Sequence, residues 1–251
     1  MALRPWQVTF KIFRQKNGEK PHYDPFVQEV DPDESVLEVI ERIWAFKDRS
    51  LTYRHACHHS ACGACGMRVN GSEKLTCITP VRAVTRQGGT VVVEPLRNFA
   101  VVSDLVVNMS PFYQAMERVH YASIIPVAGA PLQHGIRPEK GRSSEVEAGL
   151  LRLSDCLECG LCVSACPTAL TSRDYLGPAV MAAIQVQKGQ LTSDLVKTAD
   201  SHQGVWGCHS AYECTAVCPS FVEPAWRIMD LRGELIKRGL AGLFHRREAA
   251  E

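Results

Sequence analysis

Residues 155–167 read DCLECGLCVSACP and place Cys156, Cys159, Cys162 and Cys166 in the order C-x2-C-x2-C-x3-C-P. This is the spacing of the bacterial ferredoxin run, in which three close thiolates bind one iron–sulfur cube and the fourth binds a different cluster. Zinc is the main alternative, but a tetrahedral zinc site needs two cysteine pairs from separate hairpins rather than one dense run. The stretch therefore predicts an iron–sulfur protein, with a zinc-stapled interaction module as the rival hypothesis.

Length and composition narrow the classes of protein further. The chain has 251 residues, which favours two domains, and a formal net charge of +1, which argues against broad electrostatic binding of nucleic acid. Its 11 cysteines are too sparse for a disulfide scaffold, and an odd number cannot all pair within the chain. Because iron ligands must be reduced thiolates, we expect a reducing compartment. No signal peptide or membrane helix is expected, since no stretch reaches roughly 18 apolar residues.

The first part of the chain has the pattern of a small mixed domain. Three runs show the alternation or the β-propensity of strands: residues 8–14, 26–30 and 90–93. The strand at 26–30 is expected to be the shorter of the first two. Ser35 and Glu38 form a capping box ahead of an amphipathic helix. Strands together with a helix predict a domain of mixed α and β structure that covers residues 1–105.

The second part of the chain, residues 106–251, is mostly helical in pattern and carries cysteines in its loops. Ser110, followed by proline, is the expected N-cap of one helix, and residues 175–188 are helix-like. A last helix is expected to begin at Pro224 and to end at Gly239. The polar stretch over residues 134–149 is compatible with a linker, but it favours a surface loop that leads into a capped helix at Ser144.

A second group of cysteines precedes the ferredoxin run. It has the spacing C-x4-C-x2-C followed at a distance by one more cysteine, which matches the plant-type [2Fe–2S] pattern. The expected ligands are Cys57, Cys62, Cys65 and Cys77. A Rieske centre needs two histidine ligands, and no second cysteine here is followed by a histidine at matching spacing. The nearby histidines are therefore interpreted as surface residues or as neighbours of the cluster: His55, His58 and His59.

The third group aligns on the ferredoxin run with one replacement. Cysteines fill its first, third and fourth places, whereas Ala211 fills the second and offers no ligand atom. The crossed ligation of two-cluster ferredoxins then gives one [4Fe–4S] cluster the ligands Cys156, Cys159, Cys162 and Cys218. The remaining thiolates suit a [3Fe–4S] cluster: Cys166, Cys208 and Cys214. This assignment uses every cysteine of the chain.

The order of the three groups, ending in CHSAYECTAVCP at residues 208–219, resembles the iron–sulfur subunit of succinate dehydrogenase and fumarate reductase. The resemblance covers nearly the whole chain, including EPLRNFAVVSDLVVNM at residues 94–109. It implies an α+β fold, in which a β-grasp plant-type ferredoxin domain (residues 1–105) precedes an all-α ferredoxin-like domain (residues 106–251).

The resemblance also implies a function and partners. A flavoprotein subunit with FAD would interconvert succinate and fumarate, and electrons would pass through [2Fe–2S], [4Fe–4S] and [3Fe–4S] to a membrane quinone. The chain would be peripheral on the cytoplasmic face of a prokaryotic plasma membrane, held by anchor subunits that in some complexes contain heme b. The alternative within the same chemistry is the iron–sulfur subunit of another quinone-linked flavoenzyme. Such subunits usually have two complete ferredoxin runs and lack the plant-type domain.

A quinone pocket is implied beside the last cluster. Its expected residues are Pro167, His209 and Ala211. His209 either relays a proton or holds a quinone oxygen, or it is a histidine satisfied beside the cluster. Residues 170–171 are Leu-Thr where many succinate-oxidising members have Trp-Trp, which is compatible with menaquinone. Arg232 on the last helix is interpreted as part of a solvated face, with a quinone or heme-propionate contact as the alternative.

Overall fold

The computed structural model describes residues 5–16, 18–119, 156–187 and 191–248, with side chains described as far as residue 239. Seven strands lie in the first part of the chain: β1 (Trp6–Arg14), β2 (His22–Val30), β3 (Gly66–Val69), β4 (Ser72–Leu75), β5 (Thr90–Glu94), β6 (Val101–Ser103) and β7 (Val106–Val107). The α-helices are α1 (Val36–Phe46), α2 (Ser110–Arg118), α3 (Leu161–Ala165), α4 (Pro167–Thr171), α5 (Pro178–Val186), α6 (Ser193–Ala199), α7 (Glu213–Ala216) and α8 (Pro224–Glu248).

Five strands form a mixed sheet in the order β2-β1-β5-β3-β4. The central pair β1 and β5 is parallel, and the other neighbours are antiparallel. Helix α1 begins with the predicted capping box, in which Ser35 accepts from the Glu38 amide and the Glu38 side chain accepts from the Ser35 amide. The core between this sheet and α1 includes Val8, Phe10, Ile12, Ile40, Ile43, Met67, Val91 and Val93.

Strand β2 is longer than the sequence indicated. It spans nine residues and pairs with β1 along its whole length, from Trp6 opposite Val30 to Arg14 opposite His22. The additional residues, 22–25, include Pro25. The proline is tolerated because β2 is an edge strand, where a missing amide donor leaves no neighbouring strand unpaired.

The second part of the chain is helical where it is described. Helix α5 is buried along almost its whole length and packs against α8. It is shorter than the predicted helix over 175–188. The prediction of Ser110 as an N-cap was wrong by one residue, since Met109 has that position and Ser110 is the first residue of α2. The predicted loop over residues 134–149 and the helix at Ser144 lie outside the described residues.

The predicted end of the last helix at Gly239 was also wrong. Helix α8 continues to Glu248. Gly239 is not among the glycines with positive φ, so it does not adopt the left-handed conformation that usually ends a helix. A glycine inside a helix costs only about 1 kcal/mol relative to alanine, which helix-forming neighbours such as Arg238 offset. Among the described residues, we find no helix with the length and apolar character needed to cross a membrane.

A second hydrophobic core joins the two parts of the chain. It combines Leu75 and Leu96 of the first part with Leu161, Val180 and other helical residues of the second. The cysteine loops therefore lie on a continuous scaffold rather than on two bodies connected by a linker. This shared core fixes where the three cysteine groups stand relative to one another.

Candidate functional site

The first cysteine group lies in the loop between α1 and β3 and in the short 3-10 helix Thr76–Ile78. The Cys57 amide donates to Cys62 Sγ at 3.5 Å, and the Ala61 amide donates to Cys57 Sγ at 3.2 Å. The β3–β4 hairpin returns the chain so that Cys77 lies beside Cys65. All four predicted [2Fe–2S] residues thus belong to one local cluster, with backbone amides directed at the sulfurs.

Two thiols of this group differ in their acidity. The amide of His59 donates to Cys57 and, with the Cys62 contact, lowers the pKa of the Cys57 thiol to about 6. Burial, together with the neighbouring thiols of Cys65 and Cys57, raises the pKa of Cys77 to about 11. Amides that donate to a sulfur stabilise its thiolate, which is the form that binds iron.

A cavity with about 410 Å³ of empty space, part of it open to solvent, lies at the N-terminal end of α3. Its lining includes Cys156, Cys159, Cys162 and Cys218. The first three follow one another around Gly160, which has φ of +77° and turns the chain into α3. Cys218 comes from the loop before α8, some 56 residues further on. The structure thus brings together the four residues predicted to hold the [4Fe–4S] cluster.

A smaller cavity has about 290 Å³ of empty space, part of it open to solvent, and its lining adjoins that of the first at Pro178 and Ala225. Its lining includes the three thiols predicted for the [3Fe–4S] cluster and the three residues predicted for the quinone pocket: Cys166, Cys208, Cys214, Pro167, His209 and Ala211. The ring of Tyr175 closes the inner side, with its hydroxyl beside the Cys208 thiol, and burial raises the pKa of that hydroxyl well above its usual value. Pro167, His209 and Ala211 are exposed at the outer side.

The acidities of the buried thiols show what these cavities suit chemically. Burial, then the charge of neighbouring thiolates, raises the pKa of Cys159 and of Cys214 to about 12 each. The pKa of Cys162 is raised well above 9, again by burial and then by the charge of neighbouring thiolates. Several buried thiolates repel one another unless a cation lies between them. Iron supplies that positive charge, so the donor sets fit thiolate-bound iron–sulfur clusters.

The three cysteine groups follow one another in space. A Cβ atom placed on Gly63 would lie 2.6 Å from the Leu157 carbonyl oxygen and 2.8 Å from Cys159 Cβ, so the first loop touches the second. In turn, Cys162 of the larger cavity lies close enough to Cys214 of the smaller one for charge on one thiol to raise the pKa of the other. The order in space is first group, larger cavity, smaller cavity.

Known protein families match the same two regions. A 2Fe–2S iron–sulfur cluster binding domain matches residues 9–114, and a 4Fe–4S dicluster domain matches residues 152–222. The fumarate reductase iron–sulfur subunit of Haemophilus influenzae is 31% identical over 94% of this chain and 96% of its own length. This chain belongs to the iron–sulfur subunit family of succinate dehydrogenases and fumarate reductases.

Other family members extend the similarity. The succinate dehydrogenase iron–sulfur subunit 3 of Arabidopsis thaliana mitochondria is 30% identical over 90% of this chain and 74% of its own length. The Mycobacterium smegmatis Sdh1 complex in the apo form contains a chain with a TM-score of 0.76 and 25% identity, covering 93% of this chain and 97% of that one. The predicted family and the α+β fold are thus confirmed, and the matches favour them over the zinc module and the other flavoenzymes. As a family member, the chain is an electron-transfer subunit of an oxidoreductase complex.

Sequence reasoning missed the polar residues that hold the cysteine-bearing backbone of this family member in place. Asn98, at φ of +64°, donates from Nδ2 to the carbonyls of Val163 at 2.7 Å and Cys166 at 3.1 Å. It therefore supports the chain between the two cavities from the first part of the molecule. Asn98 is more than 60 residues away in sequence from the carbonyls that it contacts, so no local sequence pattern identifies these hydrogen bonds.

Arg232 is not on a solvated face, so that interpretation was wrong. Its guanidinium is half-buried and donates to the carbonyls of Val205, at 2.6 and 2.9 Å, and of Cys208. It also donates to the Ser210 hydroxyl at 3.1 Å. Helix α8 thus holds, through one side chain, the backbone that carries Cys208 into the smaller cavity.

Proposed function

We propose that this chain carries single electrons from the FAD of a partner flavoprotein, which interconverts succinate and fumarate, to a membrane quinone. The observation that most supports the proposal is the continuous order of the cysteine groups, from the Gly63 loop through the larger cavity to the smaller one. Contiguous centres keep each transfer step short. A chain with this arrangement conducts electrons between two partners that meet its opposite ends.

The proposed ligand sets follow the grouping of the thiols. A [2Fe–2S] cluster is bound by Cys57, Cys62, Cys65 and Cys77. The lining of the larger cavity supports a [4Fe–4S] cluster on Cys156, Cys159, Cys162 and Cys218. The lining of the smaller cavity supports a [3Fe–4S] cluster on Cys166, Cys208 and Cys214. Ala211 faces this last cavity with a methyl group, so a fourth thiolate ligand is missing there.

The clusters, once bound, accept and release one electron each; the protein positions them and tunes their potentials. Backbone amides of Ala61 and Ser210 donate to the sulfurs of Cys57 and Cys208, at 3.2 and 3.4 Å, and stabilise negative charge there. The Val222 amide does the same for Cys218 at 3.3 Å. With one thiolate fewer, the smaller cavity holds less negative charge, which favours electron arrival at that end.

The quinone is proposed to bind at the exposed side of the smaller cavity, near Pro167, His209 and Ala211. Leu170 and Trp206 are close in sequence to Pro167 and His209, and their apolar side chains are 60% and 45% exposed. Such exposed apolar side chains are expected on a surface that an anchor subunit covers. Anchor subunits, with or without heme b, would hold the chain on the cytoplasmic face of a prokaryotic plasma membrane. Leu170-Thr171 in place of Trp-Trp favours menaquinone as the acceptor.

The division into domains of residues 1–105 and 106–251 is likewise proposed. The cluster motifs support it, because the plant-type group lies wholly in the first part and the other two groups in the second. The β6–β7 hairpin, which spans residues 101–107, crosses the proposed boundary, so the two domains meet without a linker.

The proposal is tested by purifying the chain with its natural partners and assaying reduction of a menaquinone analogue by succinate. We expect quinone reduction that is lost when Cys162→Ser removes one proposed ligand, while flavin reduction by succinate continues. Equal quinone reduction in the variant would contradict the proposed path. Failure of succinate to reduce the flavin would instead contradict the proposed partner.

A further inference from the structure

Three metal-ligating groups outside the cysteine sets converge beside the first cysteine loop. His55 Nδ1 lies 3.0 Å from His58 Nε2, and the Glu41 Oε1 atom lies 3.2 Å from each of those nitrogens. Glu41 belongs to α1, and the two histidines belong to the loop that carries Cys57. We propose that this triad, hereafter the Glu41 triad, binds a divalent transition-metal ion of the Zn²⁺ class.

The spacing of the three atoms fits a shared metal ion. Ligand atoms about 2.0–2.2 Å from zinc lie roughly 3.3–3.6 Å apart at tetrahedral angles and roughly 2.8–3.1 Å apart at right angles. The observed edge of 3.0 Å matches the right-angle geometry, and the two edges of 3.2 Å fall between the two geometries. A small outward movement of exposed imidazoles is enough to reach either. Both histidines are exposed, so water would complete the coordination of a bound ion.

Hydrogen bonding alone accounts poorly for this triangle. Each imidazole nitrogen carries one proton at most, yet every atom of the triad faces both of the others. Within the described part of the chain, Glu41 Oε1 is buried and makes no hydrogen bond of acceptable geometry, despite its two near neighbours. A buried carboxylate oxygen without a hydrogen bond is costly, and a cation in the triangle would satisfy it.

The side chains of the Glu41 triad are also held in place before any ion binds. The His55 ring stacks on Tyr53 with ring centroids 5.2 Å apart and planes 19° apart, and Tyr53 packs edge-on against Trp44 of α1. His58 has φ of +60°, a left-handed backbone that is uncommon for residues other than glycine. Strain of this kind persists where the surrounding structure requires it, often at ligand sites.

The chemistry of the donors sets the class of ion. Two imidazoles and one carboxylate suit zinc and its neighbours in the first transition row, whereas Mg²⁺ and Ca²⁺ prefer oxygen ligands. A bound ion would connect α1 to the loop of the first cysteine group. It would also place positive charge next to Cys57. Binding itself does not depend on the proposed electron transfer.

The test is equilibrium dialysis of the intact complex, purified without a histidine tag, against limiting Zn²⁺, with zinc and iron measured by mass spectrometry. We expect one zinc per copy of this chain with the iron content unchanged. Glu41→Gln keeps the shape of the side chain, and His58→Asn keeps a residue that tolerates the left-handed backbone. Each should weaken zinc binding about tenfold or more, since even outer-shell changes at metal sites cost tenfold or more.

His59→Ala is the matched control, because His59 is an exposed neighbour outside the Glu41 triad. It should bind zinc as the wild type does. The proposal is overturned if wild type and the Glu41→Gln and His58→Asn variants bind zinc equally. It is also overturned if zinc is taken up only as iron is lost, since the ion would then occupy the cysteine sites.

Discussion

The Ser164 hydroxyl donates a 2.9 Å hydrogen bond to Glu73 Oε1, and both side chains are buried. Ser164 lies in α3 between two predicted cluster ligands, whereas Glu73 lies in β4 of the sheet. The same hydroxyl accepts from the Arg97 amide at 2.8 Å, and Arg97 and Arg68 lie 3.4 and 3.5 Å from the Glu73 carboxylate. One buried polar network therefore fixes the second cysteine run against the sheet.

Ser164→Ala should destabilise the protein by about 1–3 kcal/mol, because it leaves a buried carboxylate and a backbone amide each with one hydrogen-bond partner fewer. The measurement is the free energy of unfolding of the cluster-loaded chain in denaturant. Ser172→Ala, at an exposed serine, is the control and should change stability little. Equal effects of the two substitutions would show that the buried network contributes no net stability.

Gly63→Ala should separate the first cysteine loop from the second. The added methyl group would meet the Leu157 carbonyl and Cys159 Cβ at under 3 Å, and the φ of +70° adds about 1–2 kcal/mol of backbone strain. We expect the downstream clusters to be reduced more slowly after succinate is added. Freeze-quench EPR spectroscopy measures that rate.

Gly71→Ala is the control that separates the effect of backbone strain from the effect of the contact between the two loops. Gly71 has φ of +80°, but its added methyl group would meet nothing closer than the Arg68 side chain at 3.8 Å. It should destabilise the chain through strain and leave the reduction rates unchanged. If both alanine variants slow electron transfer alike, the contact between the two loops has no special role.

Local features of the fold followed well from the sequence. The Ser35–Glu38 capping box and strand β5 depend on neighbouring residues and were predicted correctly. The errors in strand β2 and helix α8 have different causes. Pairing with β1 extends β2 through Pro25, and Gly239 does not end α8 because it lacks a left-handed backbone.

The candidate sites divide in the same way. Cysteine spacing and the crossed ligation of two-cluster ferredoxins predicted three ligand sets, and the structure brings the cysteines of each set together. The supports of those groups were not predictable. Asn98 and Arg232 donate to backbone carbonyls that are more than 20 residues away in sequence. Every residue type has such a carbonyl, so the residue pattern does not show which one is the acceptor. The metal ligands themselves stay a prediction.

Arg232→Lys should reduce occupancy of the smaller cavity. Lysine keeps the charge but loses the planar fork that spans the carbonyls of Val205 and Cys208, so the Cys208 backbone loses its support. We expect a several-fold loss of the oxidised [3Fe–4S] EPR signal, with the reduced [2Fe–2S] signal unchanged. Arg238→Lys on the same helix alters an exposed pair with Glu234 and should leave both signals intact.

The central claim is that the last of the three clusters has three irons, because Ala211 occupies the position where a fourth thiolate would bind. EPR spectroscopy of the oxidised complex tests it most directly, since [3Fe–4S] is paramagnetic in that state and the other two clusters are not. We predict one such centre per chain in the wild type, and its disappearance in Ala211→Cys as a [4Fe–4S] cluster of lower potential forms. An oxidised wild type without the signal, or a variant with the signal unchanged, would contradict the account.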